Sequence, residues 1–152
     1  MAESACELCD GDSGELIVRR DKWRVVRVHG ADGTAYPGFC RVIWNAHVKE
    51  MTDLSAADRK IFMDAVFTLE TALRLALRPE KINLASLGNL TPHLHWHVIP
   101  RFLDDPAFPK PIWAIATQAS PSLDTLNAKQ EKPRAHSDQE WVASVARALA
   151  AH

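Results

Sequence analysis

The sequence predicts a single α+β domain: an antiparallel β-sheet, one long central helix and a C-terminal helix. Three observations predict it. Apolar segments fall in the order β-β-β-α-β-β-α. Only Asp21 and Lys22 separate the first two, which is the gap of a hairpin. The length of 152 residues is that of one domain, and 47% hydrophobic with 24% charged residues is a globular composition.

Residues 15–20 (ELIVRR) and 23–28 (WRVVRV) are rich in β-branched side chains and form the first pair of strands. Gly30, Gly33, Pro37 and Gly38 then predict a long loop. Residues 39–44 (FCRVIW) are a third strand. Ser55, with Asp58 three residues on, is an N-cap signature. Behind it Ile61, Phe62, Ala65, Val66, Leu69, Leu73 and Leu77 recur at helical spacing until Pro79. Residues 82–87 (INLASL) are strand-like, and Gly88-Asn89 begins a turn. Residues 91–101 form the last strand. Pro106, Pro109 and Pro111 make 104–113 irregular, and 117–136 is expected to be an exposed loop. Ser137 and Glu140 form a second capping box, opening a helix over 137–151 that carries Trp141, Val145 and Leu149.

Eighteen basic residues against nineteen acidic ones give a formal charge of −1. That balance excludes a surface built for nucleic-acid phosphates or anionic lipid. It leaves room for one small phosphate compound. No basic-then-apolar leader opens the chain, and no apolar run reaches the length of a bilayer span, so the expectation is a cytoplasmic protein. Three cysteines do not make a disulfide framework. Cys40 lies in a strand and reads as core. Cys6 and Cys9 form a C-x-x-C in the N-terminal segment 1–14. They are either half of a metal site or two idle thiols.

The chemistry concentrates in P-H-L-H-W-H-V-I-P, residues 92–100. In a strand, alternate side chains share a face. His93, His95, His97 and Ile99 therefore lie on one side, and Leu94, Trp96 and Val98 on the other. Successive histidines are then about 6.6 Å apart at Cα. Three readings fit: a metal-binding row, a nucleophilic histidine helped by its neighbours, or a hydrogen-bonded polar face without function. A lone histidine favours the last. Three in register do not, because burying imidazoles without partners is costly and exposing them gives no reason to choose histidine each time.

The run His93-Leu94-His95-Trp96-His97-Val98-Ile99 resembles the motif of the histidine triad (HIT) family of nucleotide hydrolases and transferases. Asn83, Gly88-Asn89 and Pro100-Arg101 resemble its flanking positions. So do Gly38-Phe39, His47-Val48 and Leu54 upstream, and the likeness spans roughly residues 6–115. The resemblance implies a HIT-like fold and a nucleotide substrate. It implies a homodimer that joins its sheets. His95 would be the nucleophile on the α-phosphorus, His97 the residue beside the phosphoryl oxygens, and His93 a support. Asn83, Asn89, Thr91 and Asp32 would contact the nucleotide, Asp32 at the ribose. The family often has Ser or Thr where this chain has Leu90. Cys6, Cys9, His47 and His93 match a zinc set of some family members, which implies a structural zinc and no metal needed for chemistry. Trp113 lies within reach of the site, with core packing its expected role. His29, His136 and His152 receive no role. The rival readings are a non-catalytic nucleotide- or zinc-binding regulatory protein and a zinc hydrolase using the histidine row itself.

Overall fold

The computed structural model describes residues 6–114 and 137–151. Five strands, β1 (Glu15–Arg19), β2 (Trp23–Arg27), β3 (Cys40–Trp44), β4 (Lys81–Ala85) and β5 (His95–Arg101), form one sheet in the order β1-β2-β3-β5-β4. Every neighbouring pair is antiparallel. Helices α3 (Ala56–Leu77) and α4 (Asp138–Ala150) are the long central helix and the C-terminal helix of the predicted α+β class. Two short helices, α1 (Glu7–Asp10) and α2 (Gly30–Ala35), and a 3-10 turn at Met51–Asp53 complete the described elements. The expected loop over 117–136, and His136 and His152, lie outside the described residues.

Helix α2 lies where a continuous loop was expected. Its last carbonyl bond runs from the Tyr36 N–H to Asp32 O, and Tyr36 is buried beside Phe39, Val28 and Ile99. An apolar anchor thus closes a turn that composition alone reads as irregular. The last strand also begins later than expected, at His95. Gly88 adopts φ +72°, a left-handed conformation in which a side chain is strained, and the turn it makes delays strand pairing. His93 and Leu94 are nonetheless fixed: Leu94 N–H bonds Val48 O, and Leu94 O accepts from Trp44 N–H.

The register sorts the side chains. Val25, Val42, Trp96 and Leu84 fall on one face with Cys40 and Val98. That face carries the main core, closed by Phe62, Val66, Leu69 and Leu73 of α3 and by Trp141, Val145 and Leu149 of α4. Helix α3 is started by the Ser55 hydroxyl, which accepts from Asp58 N–H. It comes close to the strands at Gly38 (φ +83°), where an added Cβ would lie 2.4 Å from Leu77 Cδ1. On the opposite face, Leu8 of α1 packs on Val26 and Ile43, and Val28, Tyr36, Phe39 and Ile99 form a small second cluster. Between these two lids the histidines of β5 are left facing a cleft. No helix among the described residues is long and apolar enough to cross a membrane.

Candidate active site and metal cluster

His95 and His97 leave the same face of β5, opposite Ile43 and Arg41 of β3. Across the other edge, Ala85 of β4 faces His97. A small residue there leaves the ring room. The two imidazoles stand 4.8 Å apart between centroids, at 81°. They floor a cleft of about 310 Å3, large enough for part of a small ligand. Glu7 and Leu8 of α1 form one wall. Residues 87–91 form the turn above, and Trp113 forms the rim. A hollow beside Arg27 and Thr34 is larger, at about 460 Å3. Its Arg27 is already engaged by Glu15 and Asp138, so that hollow offers no comparable chemistry.

A backbone carbonyl fixes the tautomer of His95. Its Nδ1 lies 2.6 Å from His93 O, and a carbonyl only accepts, so Nδ1 carries the proton and Nε2 the lone pair. Burial holds the His95 imidazole below its ordinary pKa, outweighing the upward pull of that bond. His97 is pushed down to about 3 by burial, then by His95 and Arg41. Its Nδ1 is buried without a partner. Phe39 and Trp113 both meet its ring, at centroid distances of 5.6 and 4.9 Å.

His93 faces the other way along the N-terminal segment. Its Nε2–H donates to Trp44 O at 2.7 Å, which leaves Nδ1 as a lone pair. Cys6 Sγ and Cys9 Sγ lie 3.4 and 3.5 Å from that atom, and Cys9 Sγ lies 3.3 Å from His47 Nδ1. All four ligand atoms fall within 4.8 Å of one another. A tetrahedral zinc with ordinary Zn–S and Zn–N lengths sets S and N about 3.6 Å apart. The cluster therefore fits a metal such as zinc, and Trp44 O supplies the outer bond that orients the His93 ligand.

The structure brings together most of the residues singled out in the sequence, but not all in one place. His95, His97, Asn89 and Thr91 line the cleft. The strict alternation expected of residues 91–101 does not reach Thr91, because the strand has not begun there. The Thr91 hydroxyl donates to Glu7 Oε1 at 2.9 Å. Leu90 extends into solvent, 99% exposed. Asn83 shares the histidine face, opposite Ile99, but its Oδ1 accepts from Arg101 Nη1 at 2.8 Å. Asp32 is exposed in the first turn of α2, away from the cleft lining. Trp113, expected in the core, is 45% exposed and stacks edge-on to His97. Glu7 and Arg41 were not anticipated at the site. Arg41 had one faint signal, a charge inside an otherwise apolar strand.

The HIT domain family model matches residues 15–104. No curated protein matches the chain. Among solved structures, a histidine triad protein from Bradyrhizobium japonicum is 22% identical, with 91% of this chain and 92% of that one covered and a TM-score of 0.68. A histidine triad (HIT) protein from Sinorhizobium meliloti 1021 is 23% identical over 90% of each chain, with a TM-score of 0.66. A hypothetical histidine triad nucleotide-binding protein from Sulfolobus tokodaii is 16% identical, covering 96% and 93%, with a TM-score of 0.58. At these identities the likeness is one of fold.

Proposed function

The chain belongs to the HIT domain family, and from that premise we propose that it hydrolyses a nucleotide phosphoanhydride or phosphoramidate through a covalent nucleotidyl-histidine on His95. The observation that carries this reading is the bond from His95 Nδ1–H to His93 O. It leaves Nε2 unprotonated at the floor of a cleft, which is what a nucleophile requires.

In the proposed cycle, His95 Nε2 attacks the α-phosphorus. A P–N bond forms and the bond to the leaving group breaks, with its electron pair departing on the leaving group. Water then attacks the same phosphorus, the P–N bond breaks, and a nucleoside monophosphate leaves. The water's proton passes to solvent. His97, 4.8 Å away between ring centroids, stands beside the reacting phosphoryl oxygens. His93 holds the carbonyl that orients His95. Asn89 and Thr91, on the turn over the cleft, contact phosphate. Asn83 and Asp32 are the nucleoside-side contacts of the same proposal. Cys6, Cys9, His47 and His93 hold a zinc that ties the N-terminal segment to the site and supplies no step of the reaction. The chain works as a homodimer in this proposal. Two features support that: β4 is an open sheet edge, and Phe67 and Leu75 of α3 are 50% and 73% exposed. Light scattering on the purified protein reads the mass directly.

The test of mechanism is mass spectrometry after brief exposure to a dinucleoside polyphosphate or an adenosine phosphoramidate. A nucleotidyl adduct on His95 is expected, accumulating in a His97→Gln variant. Hydrolysis should fall by at least about a thousandfold in His95→Ala, the scale of losing a nucleophile. Unchanged hydrolysis in His95→Ala, with no adduct in the His97 variant, would leave the mechanism without support.

A further inference from the structure

In the turn above the cleft, the Asn89 amide is the one side-chain donor not already engaged among the lining residues 87–91. Leu90 has no hydrogen-bonding atom in its side chain, and the Thr91 hydroxyl proton is given to Glu7. A guanidinium lies on the other side. Arg41 is the Cα partner of His97 across β3 and β5, so its side chain leaves the sheet on the histidine face. It lines the same cleft as His95 and His97.

Its partners are few. Arg41 Nε is buried with no hydrogen bond, and Nη1 makes only a long contact, 3.5 Å, to Ser13 O. The guanidinium carbon sits 6.0 Å from the centroid of the Phe39 ring. Among the described residues no carboxylate comes within ion-pair distance of it. The other arginines of this face differ. Arg24 reaches Asp12 at 3.1 Å, and Arg101 reaches Asp105 at 2.7 Å. Glu7 and Asp32 act on the guanidinium only from beyond ion-pair distance, burial outweighs them, and an anion delivered into the cleft would offset that cost. Its planar fork suits the paired oxygens of a phosphate.

Resting on the hydrolase reading above, we infer that Arg41 holds the phosphate on the leaving-group side of the bond His95 attacks, and so selects a phosphoanhydride over a phosphoramidate. Arg41 is the Cα partner of His97, and in this reading the His97 side of His95 is where the leaving group departs. When the P–O bond of an anhydride breaks, its electron pair stays on the departing phosphate, which faces the guanidinium and needs no proton. When the P–N bond of a phosphoramidate breaks, the departing amine needs a proton and brings no negative charge for Arg41 to hold. Burial keeps the resting His97 unprotonated, so the leaving group that departs as an anion suits this site better.

The experiment compares kcat/KM for diadenosine tetraphosphate and for adenosine 5′-phosphoramidate in the wild type, Arg41→Gln and Arg41→Lys. The expected result is a fall of about 10- to 100-fold in the ratio of the two values in Arg41→Gln, the worth of a hydrogen bond to a charged group. Arg41→Lys should restore part of it. Equal losses on both substrates, or no change on the anhydride, would overturn the inference. If the wild type turns over neither substrate, the hydrolase reading fails by itself, and a binding arm still decides the role of Arg41. In a His95→Asn background, ADP should bind about tenfold tighter than AMP, and Arg41→Gln should remove that margin. Equal affinity for ADP and AMP before the Arg41 change refutes the role whatever the enzyme does.

Discussion

His97 sits between two aromatic rings and a second imidazole, and burial is the main reason its pKa falls to about 3. The unfolded chain takes up the same proton near 6.5. Between those values the unfolded state binds more protons than the folded one, so stability rises with pH. The slope from one such group approaches about 1.4 kcal/mol per pH unit. Urea midpoints of the wild type should therefore climb from about pH 4 to about pH 6.5, and those of His97→Gln should climb less. Parallel curves would mean that His97 is not held neutral. His97 also marks how far the sequence could be read at this scale. Period-two alternation put His95 and His97 on one face with no knowledge of the fold. Arg41 needed the β3–β5 register, which no local pattern encodes. Trp113 needed the path of an irregular, proline-rich segment, so its apolar character pointed only to packing.

At the scale of elements, two short segments decide the shape of the cleft, and they are held differently. Helix α1 is too short to be stable alone. Leu8 is 2% exposed against Val26 and Ile43, and Arg24 Nη2 donates to Leu8 O at 2.6 Å and to Gly11 O at 3.1 Å. With these in place, removing a metal held by Cys6, Cys9, His47 and His93 should loosen α1 without unfolding the sheet. Chelator treatment is expected to raise amide exchange over residues 7–11 well before β2 and β3, and Cys9→Ser should reproduce it. Exchange unchanged by chelator would argue that the four ligands hold no metal. The segment after β5 depends on one ion pair. Burial would raise the Asp105 carboxyl, but bonds from Arg101 and from the N–H groups of Ala107 and Phe108 hold it below its ordinary value. Arg101 and Asp105 are both 2% exposed at the side chain. Asp105→Asn leaves a buried guanidinium unpaired and should cost about 3–5 kcal/mol in urea unfolding. A loss below about 1 kcal/mol would show that Asn83 and Lys110 O satisfy Arg101 by themselves. The proline-rich irregularity is legible in the sequence here, but its lock is not, because Arg101 and Asp105 look like ordinary surface charges in a linear chain.

Across the whole molecule the sheet separates two tasks. One face is covered by α3 and α4 and carries the main core; the other carries the histidines. This two-sidedness was legible in residues 92–100, where histidines alternate with Leu94, Trp96 and Val98. The family match ends at residue 104, yet α4 lies beyond it and completes the core. Its capping box was readable from Ser137 and Glu140, whereas its docking site, on α3 and β1, was not. Trp141 is 1% exposed, and its indole N–H donates to Asp138 Oδ1 at 3.2 Å. Arg27 stacks over that ring at 5.2 Å and also reaches Asp138. Arg20 Nη2 donates to Leu149 O and Ala150 O at the far end of α4. Trp141→Ala removes the largest contact of α4 and should lower stability by about 3–5 kcal/mol. No α4 residue lines the histidine cleft. At a temperature where the variant stays folded, its kcat/KM should therefore match the wild type within about twofold, because sites without shared partners act independently. A parallel fall in kcat/KM in the folded variant would mean that the two faces of the sheet are coupled, and that α4 holds the cleft in shape through the strands.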